Sequence, residues 1–184
     1  MVVGLSGNLG FTHSPCRVYE AARLLKEEKD IRILLSGSGS GWKQLTELYA
    51  RAPLDNVILM DPVPEPELEE FLSAVDVWII PYRRNAAGVS VPSRIYNLLA
   101  VGRPVIVAAE ANSAALMLKE DDIGWVVSPE DPLDLAEAIR SAASNREETL
   151  AKVLRAALAA QRYTHDRAIP SYRQIMSDLM YNRP

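Results

Sequence analysis

The chain has 184 residues, 48% of them hydrophobic and 24% charged, with a formal net charge of -4 and a single cysteine, Cys16. That balance fits one compact globular unit, while one cysteine excludes an internal disulfide and the weak negative charge gives no basic field for nucleic acid. No apolar run approaches the ~20 residues of a membrane span, and Met1 leads into an apolar run without a basic leader or cleavage site, so a reducing, cytoplasmic setting is expected.

Strand and helix signals alternate along the sequence. Val2–Ser6 reads as a short strand, and Ser14-Pro15 opens a helix with Val18, Ala21, Ala22 and Leu25 on one face. Ile31–Ser36 is the next strand, Trp42–Arg51 a helix and Val57–Met60 a third strand. Pro66–Ala74 forms a short helix ahead of the strand Val75–Pro81. The runs VILM and VWII are apolar without alternation, which predicts burial on both faces. Alternation with such strands predicts a Rossmann-like, doubly wound parallel sheet of about six strands, in the order 3-2-1-4-5-6.

The segment PSRIYNLLAVGRPVIV, from Pro92 to Val107, holds a helix start, a short helix, a glycine stop and a buried strand. Ser90, Pro92 and Ser93 are start signals, and Ile95, Leu98 and Leu99 form the apolar face. Gly102 permits a left-handed stop, and Pro104 forbids continuation into the next strand, Pro104–Ala108. Upstream, RRNAAGVS brings Arg83, Arg84 and a glycine towards that helix's start. Backbone N–H groups and guanidiniums gathered there suit a phosphate or diphosphate.

Beyond this, Ser113–Glu120 is a helix and Gly124–Val127 a strand, and Asp131-Pro132 caps a helix to about Ser144. From about residue 147 onward the chain reads as a helical C-terminal extension, alanine- and leucine-rich to about Tyr163. THDRAIP breaks it, and Ser171–Met180 is expected as the last helix. Leu179, Met180 and Tyr181 are expected to close this domain's own core, the alternative being that they stay partly unburied.

Two glycine-rich stretches are ambiguous. GSGSG at Gly37–Gly41 follows a strand and opens a helix, yet Trp42 stands where a dinucleotide fingerprint needs glycine. A tight turn explains it equally well, and Lys43 beside it reads as a surface lysine. GNLG, Gly7 to Gly10, follows the first strand, where its backbone can approach a ligand closely. No catalytic constellation is evident: His13 and His165 have no carboxylate at metal-ligand or triad spacing, so catalytic residues stay unassigned and no metal site is expected.

PSRIYNLLAVGRPVIV resembles the donor-site segment of GT-B glycosyltransferases of the large retaining group 1 family. GLSGNLG, SGSGSGW, NVILMDPVPEPELEEFLSAVDVWIIPY and GWVVSPEDPLDLAEAI follow in that family's order, so the likeness runs from about Val2 to the final helix. It covers only the C-terminal, nucleotide-sugar-binding domain of such an enzyme. The resemblance thus implies one Rossmann-like donor domain over residues 1–184, without the N-terminal acceptor domain.

What the resemblance implies about residues is specific. Gly7, Asn8 and Gly10 would face the donor's phosphates. The family often has an arginine where Phe11 stands, and His13 or Arg17 would substitute for it. Val89 and Asn97 occupy the positions of the family's two hallmark glutamates; Asn97 can still hydrogen-bond a ribose, while Val89 cannot replace a carboxylate. Subfamilies with a proline-serine-basic helix start match better, and there Ser93 and Arg94, with Ser90 and Arg84 nearby, would serve the diphosphate. The base is expected around Pro62–Pro64, at Val63.

The implied activity is hexosyl transfer from a nucleoside diphosphate sugar to an acceptor hydroxyl, in polysaccharide or glycolipid synthesis. The sugar nucleotide is a substrate, no cofactor is implied, and a lipid-linked acceptor is compatible with it. Two alternatives stay open: a nucleotide-sugar epimerase of the same architecture, and a non-catalytic nucleotide-binding module.

Overall fold

The computed structural model describes residues 1–86, 93–111 and 113–181. Strands and helices alternate as β1 (Val2–Asn8), α1 (Pro15–Leu24), β2 (Arg32–Ser38), α2 (Ser40–Arg51) and β3 (Val57–Met60). A 3-10 turn, Glu65–Glu67, leads into α3 (Leu68–Ser73), followed by β4 (Val77–Pro81), α4 (Arg94–Ala100) and β5 (Val105–Ala108). Then come α5 (Ser113–Asp121), β6 (Gly124–Val127), α6 (Pro132–Ser144), α7 (Arg146–Ala160) and α8 (His165–Tyr181).

The six strands form one sheet in the order β3-β2-β1-β4-β5-β6, every pair parallel, as the alternating pattern predicts. Helices cover both faces. One apolar cluster joins Val18, Ala22, Leu45 and Ile139 of α1, α2 and α6 to Val3, Leu5 and Ile33 of the sheet. The other joins Phe71, Ile95, Leu98 and Leu118 to Trp78, Ile80 and Val107. Trp78 lies against Gly4, and its indole N–H donates to the Leu72 carbonyl at 3.0 Å. All strands run one way, so the loops after β1, β2, β3 and β4 gather at one edge of the sheet.

Local signals explain the element ends. Asp131 caps α6, accepting from the amides of Leu133 at 3.0 Å and Asp134 at 3.2 Å, with Pro132 in the first turn. Gly102 ends α4 at φ 67°, and the amides of Gly102 and Arg103 return to the carbonyls of Leu99 and Leu98.

Three expectations need correction. VWII is buried throughout, but VILM is an edge strand, with Ile58 44% and Met60 39% exposed. An unbroken apolar run therefore did not mean cover on both sides. The last helix starts at His165 rather than Ser171 and runs through Pro170. That proline is the sixth residue of α8, where it removes one intrahelical hydrogen bond and its ring crowds the preceding turn. The apolar residues of α8 do not close the core: Leu179 is 63%, Met180 61% and Tyr181 78% exposed, and α8 buries no residue.

By contrast, α7 is anchored. Lys152, 3% exposed, pairs with Asp122, reaches Glu148 at 3.5 Å and lies 5.1 Å from the Trp125 ring centre. Among the described residues, no helix is long and apolar enough to cross a membrane.

The glycines beside the β1–α1 loop give a direct test of this packing. A Cβ on Gly41 would meet the Leu9 carbonyl oxygen at 2.7 Å, whereas one on Gly10 would meet nothing within 4 Å. Gly41→Ala is expected to lower stability by about 1–3 kcal/mol, and Gly10→Ala by less than about 0.5 kcal/mol, in urea unfolding. Equal effects would contradict the tight join between the two loops.

Candidate functional site

The β1–α1 loop is held from both sides. The Leu9 amide donates to the Ser38 carbonyl at 2.9 Å, and the Gly41 amide donates to the Leu9 carbonyl at 2.8 Å, which ties the loop to the end of β2. On the other side, Ser14 N–H donates to Pro81 O at 2.8 Å and Arg83 N–H to Thr12 O at 2.9 Å, which ties it to the end of β4. Leu9 is fully buried beneath it. The loop is therefore a fixed rim and not a free flap.

Arg94, the first residue of α4, reaches that rim. Its guanidinium lies so close to Gly7 that a Cβ there would stand 2.7 Å from Cζ and 3.0 Å from Nε. Gly7 also has φ 108°, a conformation side-chain-bearing residues rarely take. Nη1 of Arg94 is buried and makes no hydrogen bond among the described residues. Burial pulls its pKa below the ordinary arginine value, with the Tyr82 phenol opposing, and the guanidinium remains the local cation. A buried charged donor without an acceptor costs more than the roughly 1–3 kcal/mol of a neutral one. Such a group is poised to accept an anion.

His13 stands next to it. Its ring stacks on Tyr82 with centroids 5.6 Å apart and planes 17° from parallel. Burial, and then the charge of Arg94, push its pKa down to about 4, so the imidazole is neutral at pH 7. Arg83 is occupied: Nε donates to the His13 carbonyl at 2.9 Å, and its guanidinium lies over Phe11, 5.5 Å from the ring centre.

On the β2 side of Gly7, a cleft of about 150 Å³ is lined by Ser6, Gly7, Asn8, Ser36–Ser38, Pro62, Val63 and Leu68. Ser36 Oγ, which donates to the Asp61 carbonyl at 2.9 Å, holds the β3–α3 connection against it. Larger hollows, about 380 Å³ along α8 and about 400 Å³ between α4 and α8, lie beside the exposed apolar side of α8. Their arginines, Arg173 in the first and Arg162 and Arg167 in the second, are all exposed.

The structure thus brings Gly7, Asn8 and Val63 into one cleft, with Arg94 against Gly7. Gly10 and His13 follow on the same loop, the His13 amide donating to the Gly10 carbonyl at 3.2 Å. Arg84, Ser93 and Asn97 are exposed, as is Lys43. Ser90, with Val89 and Pro92, lies outside the described residues. Two contributors were not anticipated. Tyr82 supports both His13 and Arg94 from the end of β4, and Ser36 positions the β3–α3 connection. Their places at the C-terminal ends of strands were the only available signal. Among the described residues, no group of three or more His, Cys, Asp or Glu could hold a metal ion.

The neutral His13 makes stability depend on pH. Its folded pKa lies below the ordinary 6.5, so the unfolded chain binds the proton first. The stabilisation is complete above pH 6.5 and is lost as pH falls towards 4. His13→Gln is expected to remove about 1–3 kcal/mol of the stability lost between neutral pH and pH 4, read by urea unfolding at both values. Unchanged acid sensitivity would contradict the buried neutral imidazole.

The chain is similar to known proteins in sequence and in fold. The sequence pattern of the family "Glycosyl transferases group 1" matches residues 2–158. WcaI of Escherichia coli (strain K12), assigned to colanic acid biosynthesis as a glycosyl transferase, is 30% identical over 143 residues, covering 77% of this chain and 35% of WcaI. WcaL of the same organism, assigned likewise, is 28% identical over 142 residues, covering 75% and 35%. The chain therefore spans about a third of the length of these curated relatives. Among solved structures, the catalytic domain of cholesterol-alpha-glucosyltransferase from Helicobacter pylori superposes with a TM-score of 0.74 at 20% identity, over 89% of this chain and 99% of that one. The C-terminal domain of LpcC, a glycosyl transferase group 1 family protein from Francisella tularensis, gives 0.71 at 16% identity, over 89% and 86%. Sequence pattern and fold agree, and the chain belongs to the glycosyl transferases group 1 family.

Proposed function

We propose that these residues form the donor-binding half of a glycosyltransferase that moves a sugar from a nucleoside diphosphate sugar to an acceptor hydroxyl in polysaccharide or glycolipid synthesis. The observation that carries this reading is the Arg94 guanidinium packed on Gly7, with Nη1 buried and without an acceptor among the described residues. A diphosphate oxygen supplies what that nitrogen lacks. When the sugar departs, negative charge grows on the diphosphate, and Arg94 beside Gly7 offsets it. The cleft beside Val63 receives the base, and Asn97 and Ser93 on α4 serve the ribose and phosphates.

The acceptor side belongs to a second domain outside these residues, in keeping with the 35% of WcaI that the chain covers. The exposed apolar residues of α8, among them Ile169, Tyr172, Met176 and Leu179, suit contact with that domain. A cytoplasmic setting and a lipid-linked acceptor are part of the same proposal.

Two outcomes test it. A charge-assisted hydrogen bond contributes roughly 1.5–3 kcal/mol. Arg94→Ala is therefore expected to weaken nucleoside diphosphate binding about tenfold or more in calorimetry. Arg83→Ala should cost clearly less, because its guanidinium is bonded to the His13 carbonyl and laid over Phe11. An unaffected Arg94→Ala would remove that residue from the site. The 184 residues alone are expected to bind donor without multiple turnover, since donor and acceptor must be held in register for transfer. Sustained sugar transfer by this chain alone would overturn the division of labour.

A further inference from the structure

Resting on the reading of the Arg94 crevice as a diphosphate site, we propose that His13 is a second, conditional cation of that site. It takes up a proton from solvent when a diphosphate settles beside Arg94. Donor binding and proton uptake are then one coupled event. The reaction is a simple protonation, neutral imidazole to imidazolium, and changes no covalent bond to carbon.

The geometry holds the ring on the loop that carries Gly7, within reach of the Arg94 charge. Its stack on Tyr82, the donation from Arg83 Nε to the His13 carbonyl, and the flanking bonds from Ser14 N–H and Arg83 N–H leave it little freedom to swing away. Thr12 Oγ1 lies 3.3 Å from Nδ1, a contact in which the ring nitrogen donates or accepts according to its tautomer. The groups facing it are few. From α4 comes Arg94, whose charge reaches the ring, and from the end of β4 comes Tyr82. Arg83 meets its carbonyl, and Arg84 beside it is exposed. From α1 come Cys16, partly exposed, and Arg17, which is paired with Glu20 at 2.6 Å.

Among these facing groups, Arg94 sets the sign. Burial first, and then the Arg94 guanidinium, disfavour a positive charge on the imidazole, which holds its pKa at about 4 in the free chain. A diphosphate diester carries two negative charges and reverses the local field, so the imidazolium becomes the favoured form. Linkage then requires tighter binding as pH falls, up to tenfold per pH unit while the bound form holds the proton and the free form does not.

The chain has two histidines, and His165 lies exposed on α8, so NMR can follow the His13 ring with an internal control. UDP-glucose and GDP-mannose serve as probes, because their diphosphate diesters do not titrate between pH 5 and 8. In the free protein the His13 ring signals should stay constant across that range. At saturating probe they should titrate with a midpoint near or above pH 6, while His165 is unchanged between the two series. Affinity should rise about tenfold or more from pH 8 to pH 5, and this rise should vanish in His13→Gln. Identical His13 behaviour with and without probe, or a free ring already titrating near 6.5, overturns the coupling. If Arg94→Ala abolishes binding while His13 does not titrate, the site reading stands and this inference falls. If neither probe binds the wild-type chain, both fall together. The ring signals are read on the unsubstituted protein, so the result does not depend on any variant folding.

Discussion

The approach of Arg94 to Gly7 is the constraint on which the site depends. It needs a residue with no Cβ at the end of β1 and a cation on the first turn of α4. It also needs β1 and β4 side by side, so that both reach the same sheet edge. The left-handed φ of Gly7 turns the chain out of the strand, and Leu9, buried to zero exposure, locks the turn in place. The outcome is a partly buried guanidinium whose Nη1 is enclosed and finds no acceptor among the described residues. Folding alone gives no reason to tolerate that cost, whereas a bound anion removes it.

A second buried cation shows the contrast. Lys152 is more deeply enclosed, yet Asp122, Glu148 and the Trp125 ring surround it, and Asp122 is held below the ordinary carboxylate range chiefly by its hydrogen bond with Lys152. That cluster is satisfied internally and pins α7 onto the turn between α5 and β6. Among the described residues, Arg94 has no such set of partners. The two sites separate a cation that completes the fold from one that awaits a ligand. The same contrast holds between helices: α7 buries Lys152, Ala156 and Ala159, while α8 buries nothing.

The sheet was legible because its strands are short apolar runs closed by proline, glycine or serine, and parallel order follows from the intervening helices. The edge position of VILM was not legible, since apolar content is the same at an edge and in the centre. Pro170 misled because a proline reads as a helix end, although α8 continues past it at the loss of one backbone hydrogen bond. At the site, Arg94 and the GNLG loop carry local signals of helix start and glycine turn. The stacking of His13 on Tyr82 and the bond from Ser36 to Asp61 carry none. Both join residues far apart in sequence, and only the assembled sheet brings them together.

Diffraction from crystals of this chain grown with a nucleoside diphosphate sugar would test the central claim most directly. The account predicts a diphosphate oxygen within hydrogen-bonding distance of Arg94 Nη1, over Gly7, with the base in the cleft beside Val63. A nucleotide ordered elsewhere, with Arg94 Nη1 still lacking an acceptor, would contradict it.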